Sequence, residues 1–233
     1  LRQFKGFSYF TEMSDIINRL EDHVASARMK TTPVIDFEKN ESLKGLDYLD
    51  TIYHAIVNEH PIQLKYRSFK ARSANSFIFY PYLLKEYRNR WFVYGVRGNG
   101  RILQNLALDR IQSLEVLPQE HYIKNTFFDP NTFFDDLVGV TKNSGSVAEK
   151  IGFKVAAAEA PYIITKPIHR SQQVVERLAD GSVILEIEVV INHELERVFF
   201  GYAEGIQILY PKTLVELMGR KLKKAAEQYT HSK

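Results

Sequence analysis

"RWFVYGVRGNGRILQNLALDRI", residues 90–111, is the stretch on which the reading of this chain turns. Two runs with strand alternation, "RWFVYGV" and "RILQNLAL", flank "RGNG", whose glycines and asparagine supply the positive φ angles of a tight turn. The expectation is a β-hairpin. Along its first arm the period of two puts Trp91, Val93 and Gly95 on one face and Arg90, Phe92 and Tyr94 on the other. The first face reads as core, with Trp91 in it. The second sets aromatic rings beside the arginines Arg90, Arg97, Arg101 and Arg110.

The flanking sequence extends this hairpin into a domain. "IQLKYRS" alternates as a strand, "SFIFYPYLLKEY" is a second strand that Pro81 assigns to an edge or a bulge, and "IQSLEVL" is a last one. Ahead of them a helix runs from Gly45 to about Glu59. Its apolar stripe is Leu46, Leu49, Ile52, Tyr53 and Ile56, and His60-Pro61 stops it. A helix followed by about five short strands suggests a small barrel or rolled sheet.

Residues 1–29 read as helix, with Ile16, Ile17, Leu20 and Val24 at helical spacing, and Pro33 with "DFEKNES" as loop. Residues 119–149 read as a linker. In it "FFDPNTFFDDLVGV" makes a turn capped by Asp129-Pro130, and Phe127, Phe128, Phe133 and Phe134 are expected at a domain junction. From residue 150 the order is strand "IGFKVAA", helix "APYIITKPI", strands "SQQVVERL" and "SVILEIEVV", helix "NHELERVFFGY", strand "IQILY" and a final helix from Pro211. That is a ferredoxin-like βαββαβ pattern with a trailing helix. The expected class is therefore α+β, divided into a helical connector (1–44), a barrel domain (45–118), a linker (119–149) and a ferredoxin-like domain (150–233).

Composition narrows the chemistry. Among 233 residues there is no cysteine, which excludes disulfides, thiol catalysis and cysteine-held metals and fits a reducing, cytoplasmic setting. No apolar run reaches the roughly 18 to 20 residues that span a bilayer. The net charge is +3, yet residues 61–111 carry ten Lys/Arg against Glu86 and Asp109, which leaves −5 for the rest. The same segment holds ten aromatic residues. Such a basic, aromatic-rich segment attracts phosphates.

Catalytic motifs are missing. Gly95, Gly98 and Gly100 lack the GxGxxG order, and no GxxxxGK[ST], HExxH or GxSxG occurs. The histidines, His169 and His193 among them, stand singly and read as surface or capping residues. The glutamates Glu186, Glu188, Glu194 and Glu196 fall where solvent is expected. Neither an enzyme nor a cofactor site is expected. The basic hairpin admits two readings on composition: a solvated face with Arg stems over rings, or a ligand face. In the second, Phe92 and Tyr94 form a stacking platform and Arg67, Arg90, Arg97, Arg101 and Arg110 clamp phosphates. Asp109 can instead tie up its neighbour Arg110.

"RWFVYGV…LALDRI", preceded by "AIVNEHPIQLKYRS" and "YPYLLKEY", resembles the WYL domain, and "APYIITKPIHRSQQVVE" through the last helix resembles the extension that follows WYL domains in bacterial transcriptional regulators. The likeness covers about residues 45–230. Of the namesake triplet Trp91 is kept, while Phe92 and Val93 replace Tyr and Leu, and Ala107 stands where many members carry Arg. The resemblance implies an Sm-like, SH3-type β-barrel that senses a nucleic-acid or nucleotide-like ligand, with Tyr66, Arg67, Arg90, Phe92, Tyr94, Arg97, Arg101 and Arg110 as ligand-binding residues. It also implies homodimers and an N-terminal helix-turn-helix that reads operator DNA. No such motif fits in residues 1–44, so that module is expected upstream. The alternatives are a single-stranded nucleic-acid binder without a switch, a phosphate-ester hydrolase, and a structural dimerisation module.

Overall fold

The chain is α+β with two antiparallel sheets, described from a computed structural model at residues 44–98, 100 and 102–230. The helix expected over 1–29, the rest of the connector before residue 44, and Arg101 lie outside the described residues. Two units divide at Phe128/Asp129.

In the first unit, helix α1 (Leu49–Val57) buries Leu49, Ile52 and Ala55. A 3-10 turn, Leu46–Tyr48, leads into it from Gly45. The helix ends where His60-Pro61 forbids continuation, with Glu59 at φ 53°. Five strands follow: β1 (Ile62–Tyr66), β2 (Asn75–Tyr87), β3 (Arg90–Arg97), β4 (Leu103–Ala107) and β5 (Ile111–Val116). They lie in the order β4-β3-β2-β1-β5. Beneath α1 the core contains Ile62, Leu64, Phe79, Val93 and Leu108, all fully buried, and half-buried Trp91 packs against it.

Pro81 sits in the central strand, not at an edge. A bulge accommodates it: Pro81 pairs with Gly95 and Leu83 with Tyr94, so Tyr82 is the extra residue. Strand β1 pairs with β2 only as far as Phe79, which spares Pro81 a ladder bond it has no N–H to make. Gly95 is required opposite it, because a Cβ there would run into the Tyr80 carbonyl oxygen and lie 2.6 Å from the Phe79 ring.

Strand β3 is buried on both faces. Val93 faces the core, while on the other side Tyr94 is 2% exposed and Val96 fully buried. The chain after β5 covers that second side. Tyr122 donates its hydroxyl to the Pro81 carbonyl, and Tyr82 donates to the Ile123 carbonyl at 2.9 Å. Phe127 stacks on Tyr82 at 6.2 Å and Phe128 lies 6.3 Å from Tyr94. Burial pushes the Tyr82 hydroxyl up to about 12, and that of Tyr122 upward as well. Phe133 and Phe134 instead meet edge to face in the second unit, at 5.0 Å. The four phenylalanines expected at one junction are thus shared out, two to each unit.

The second unit comprises β6 (Glu149–Val155), α2 (Ala160–Thr165), β7 (Gln173–Arg177), β8 (Val183–Val189), α3 (His193–Phe200), β9 (Ile206–Tyr210) and α4 (Lys212–Thr230). Its sheet runs β7-β8-β6-β9, antiparallel throughout. Alternation puts Ile151, Phe153 and Val155 of β6 and Leu185, Ile187 and Val189 of β8 in the core with Leu195 and Phe199. Asn192 caps α3, accepting from the Leu195 N–H at 2.8 Å, and donates to the Val138 and Thr141 carbonyls, both at 2.9 Å. Residues 136–142 are therefore held on this unit. The "PIHRSQ" run is a second clasp. His169 Nδ1 lies 2.7 Å from the Ser171 hydroxyl, and Gln172 donates to the Ile163 carbonyl at 2.9 Å.

Candidate functional site

The end of β1 and the turn between β4 and β5 meet beside a cleft of about 250 Å³. Arg67, Ser68, Phe69, Asp109, Arg110 and Gln112 line it. The "LDR" triplet makes this possible. Leu108 is fully buried and anchors a 3-10 turn, Leu108–Arg110, which turns the two polar residues outward. The Arg67 N–H donates to the Arg110 carbonyl at 3.1 Å and ties the two walls together.

Arg110 is the best-held side chain of the cleft. Its guanidinium lies 4.3 Å from the centre of the Phe69 ring, a cation–π contact, although Phe69 is itself 73% exposed. The guanidinium also acts on Tyr66, whose hydroxyl is pushed up by burial and partly pulled back by the Arg110 charge and hydrogen bonds from Ala107 and Arg110. Asp109 Oδ2 forms an ion pair with Arg90 Nε at 3.2 Å, and its Oδ1 lies 3.8 Å from Arg110 Nε. That Oδ1 and that Nε are buried without a hydrogen-bond partner.

The sequence-derived ligand residues thus fall into separate places. Arg67 and Arg110 come together at the cleft, Tyr66 is buried within reach of the Arg110 charge, and Arg90 joins them through Asp109. Arg97 is exposed but lies over the Phe77 ring at 4.0 Å and is not among the lining residues. Phe92 is half-buried between Lys85 and Ala107 in the sheet. Tyr94, expected on an exposed stacking face, is covered by Phe128 and offers no surface to a ligand. Phe92 and Ala107, both departures from the resemblance, are direct cross-strand partners.

Phe69 was missed as a site residue. Its signal was an aromatic residue in the polar loop "RSFKARS", where no strand period gives it a buried side. Among the described residues no group of three His, Asp or Glu side chains could hold a metal, and no helix is long and apolar enough to cross a membrane.

A small antiparallel sheet domain with a basic cleft, followed by a second α+β domain, is the class that fold and site define. Residues 47–116 match the WYL domain and residues 148–226 the WCX domain, so the chain carries a WYL domain followed by a WCX domain. Among solved structures it is similar to the proteasome accessory factor B/C (PafBC) of Arthrobacter aurescens, at 16% identity over 82% of this chain and 28% of that one, TM-score 0.32. It is also similar to a CRISPR Cas-related protein, at 13% identity over 80% of this chain and 52% of that one, TM-score 0.47. The chain thus spans about half or less of the length of either. No curated protein matches the sequence.

Proposed function

We propose that this chain is the ligand-sensing part of a WYL-type transcriptional regulator, without catalytic activity, and that it binds a nucleic-acid or nucleotide-like anion in the Arg67–Phe69–Arg110 cleft. The observation that carries the proposal is one guanidinium lying on an exposed ring in an open cleft that a second arginine also lines. Phosphate suits the arginines and a base suits the ring. Both domain matches support a regulatory role. In this reading the first unit is an Sm-like barrel, supported by the strand order β4-β3-β2-β1-β5. The second is a ferredoxin-like fold, supported by its βαββαβ order. The protein acts in the cytoplasm as a homodimer and controls operator binding by a helix-turn-helix module.

Fluorescence anisotropy of labelled single-stranded DNA, RNA and a dinucleotide, at two salt concentrations, tests it. Arg67→Ala and Arg110→Ala should each weaken binding about tenfold or more, the worth of a hydrogen bond to a charged group. Arg97→Ala removes the same charge away from the cleft and should cost only a general electrostatic share. Equal losses in all three variants would relocate the site. Affinity that keeps growing with strand length, where the dinucleotide fails to compete, would favour a plain single-strand binder.

A further inference from the structure

The basic cleft contains its own anion. Asp109 stands between two arginines, and its side chain is only 16% exposed, so solvent screens it poorly. The turn that carries it is pinned by buried Leu108, by the Arg67–Arg110 backbone bond and by Gly45 packed against the Leu108–Asp109 peptide. Its two oxygens are also unequal. Oδ2 is held by Arg90 at 3.2 Å, but Oδ1 is 3.8 Å from Arg110 Nε, too far for a hydrogen bond, and both of those atoms lack one elsewhere. The guanidinium of Arg110 is thus positioned by Phe69 and Tyr66, with Asp109 opposing part of its charge.

We propose that Asp109 is the specificity-determining residue of the cleft: an internal counter-anion that rejects isolated phosphate and admits only a phosphorylated ligand with a flat group to lay on Phe69. The inference rests on the reading of the cleft as an anion site. A bare anion between Arg67 and Arg110 gains their attraction but meets the Asp109 carboxylate. A like charge in such a partly screened site lowers affinity by about tenfold. A nucleotide-like ligand offsets that loss by stacking on Phe69, a contact indifferent to Asp109.

The test is calorimetric titration of the whole chain with inorganic pyrophosphate and, separately, a 5′-phosphorylated dinucleotide. The wild type, Asp109→Asn and Arg110→Ala are compared, with circular dichroism to establish folding. Asp109→Ser serves if Asp109→Asn does not fold. In the wild type the dinucleotide should bind and pyrophosphate should bind at least about tenfold more weakly. Asp109→Asn should tighten pyrophosphate about tenfold and the dinucleotide less, so that the preference narrows. Loss of dinucleotide binding in Arg110→Ala together with no gain, or an equal gain for both ligands, in Asp109→Asn sinks the inference and leaves the cleft as the site. Dinucleotide binding that survives Arg110→Ala, or no binding by any form, removes the anion site and this inference with it.

Discussion

Replacing Gly45 with alanine tests how rigidly the cleft is backed. Gly45 has φ 85°, and an added Cβ would sit 2.5 Å from the Leu108 carbonyl oxygen and 2.7 Å from the Asp109 amide nitrogen. Both neighbours are backbone atoms, so no rotamer relieves the overlap. The left-handed conformation costs an alanine about 1 to 2 kcal/mol. Displacing the Leu108–Asp109 peptide adds about 1 to 3 kcal/mol, the range for overpacking in a tight interior. The variant should therefore lose about 2 to 5 kcal/mol, a fall in melting temperature on the order of 10 °C or more for a unit of this size. Thermal unfolding followed by circular dichroism measures it. Gly45→Asn separates the two causes, since asparagine tolerates positive φ but carries the same Cβ. If overlap dominates, both variants melt early. A Gly45→Ala protein within about 2 °C of the parent would refute the reasoning, and full recovery by asparagine would leave conformation as the sole cause.

Other outcomes follow from the same structure. Gly95→Ala should cost about 3 kcal/mol, because its Cβ meets the Tyr80 carbonyl and the fully buried Phe79 ring. Gly152→Ala should cost less, about 1 kcal/mol, since it meets the ring of Tyr210, a partly exposed side chain that can turn aside and give up its 2.8 Å bond to Glu186; urea midpoints give the ranking. Asn192→Ala removes a cap and orphans the Val138 and Thr141 carbonyls, a loss of about 2 to 4 kcal/mol in chemical denaturation. Burial, then the Arg170 charge, holds the His169 imidazole below its ordinary value near 6.5. The unfolded chain then binds the proton more readily, so this contribution to stability is complete above that value and is lost as pH falls below it. Melting profiles from pH 7.5 to about 5 should show the fall, and His169→Gln should flatten it.

What the sequence made legible was governed by local rules. The period of two and the Gly-Asn-Gly turn place β3 and β4, and His60-Pro61 ends α1, because these constraints act within a few residues. Pro81 pointed to an edge or a bulge, and pairing partners far along the chain selected the bulge. Tyr94 was misplaced for a related reason. Period two separates the faces of a strand but does not say which face stays open, and the cover over Tyr94 comes from Phe128, more than thirty residues later. The candidate site divided along the same line. Arg110 and Tyr66 were visible as residue types, whereas Phe69 needed the loop after β1 to fold back over the β4–β5 turn.

That fold-back also explains where the charge is put to use. With Tyr94 of β3 covered by Phe128, and Pro81 and Tyr82 of the neighbouring β2 engaged by Tyr122 and Phe127, the described residues of the hairpin offer no open aromatic platform on that side, and Arg90 and Arg97 are left at the margins. Arg97 spends its charge over Phe77 and Arg90 on Asp109. Arg110 alone among these three lies over an exposed ring beside a second arginine in the cleft. The concentration of positive charge in residues 61–111 is therefore not one uniform basic face. Arg90, Arg97 and Arg110 are each engaged separately, and single substitutions at them should have unequal effects. A uniform loss of anion affinity across Arg67, Arg90, Arg97 and Arg110 alanine variants, with parallel salt slopes, would contradict that division and restore the picture of an undifferentiated basic surface.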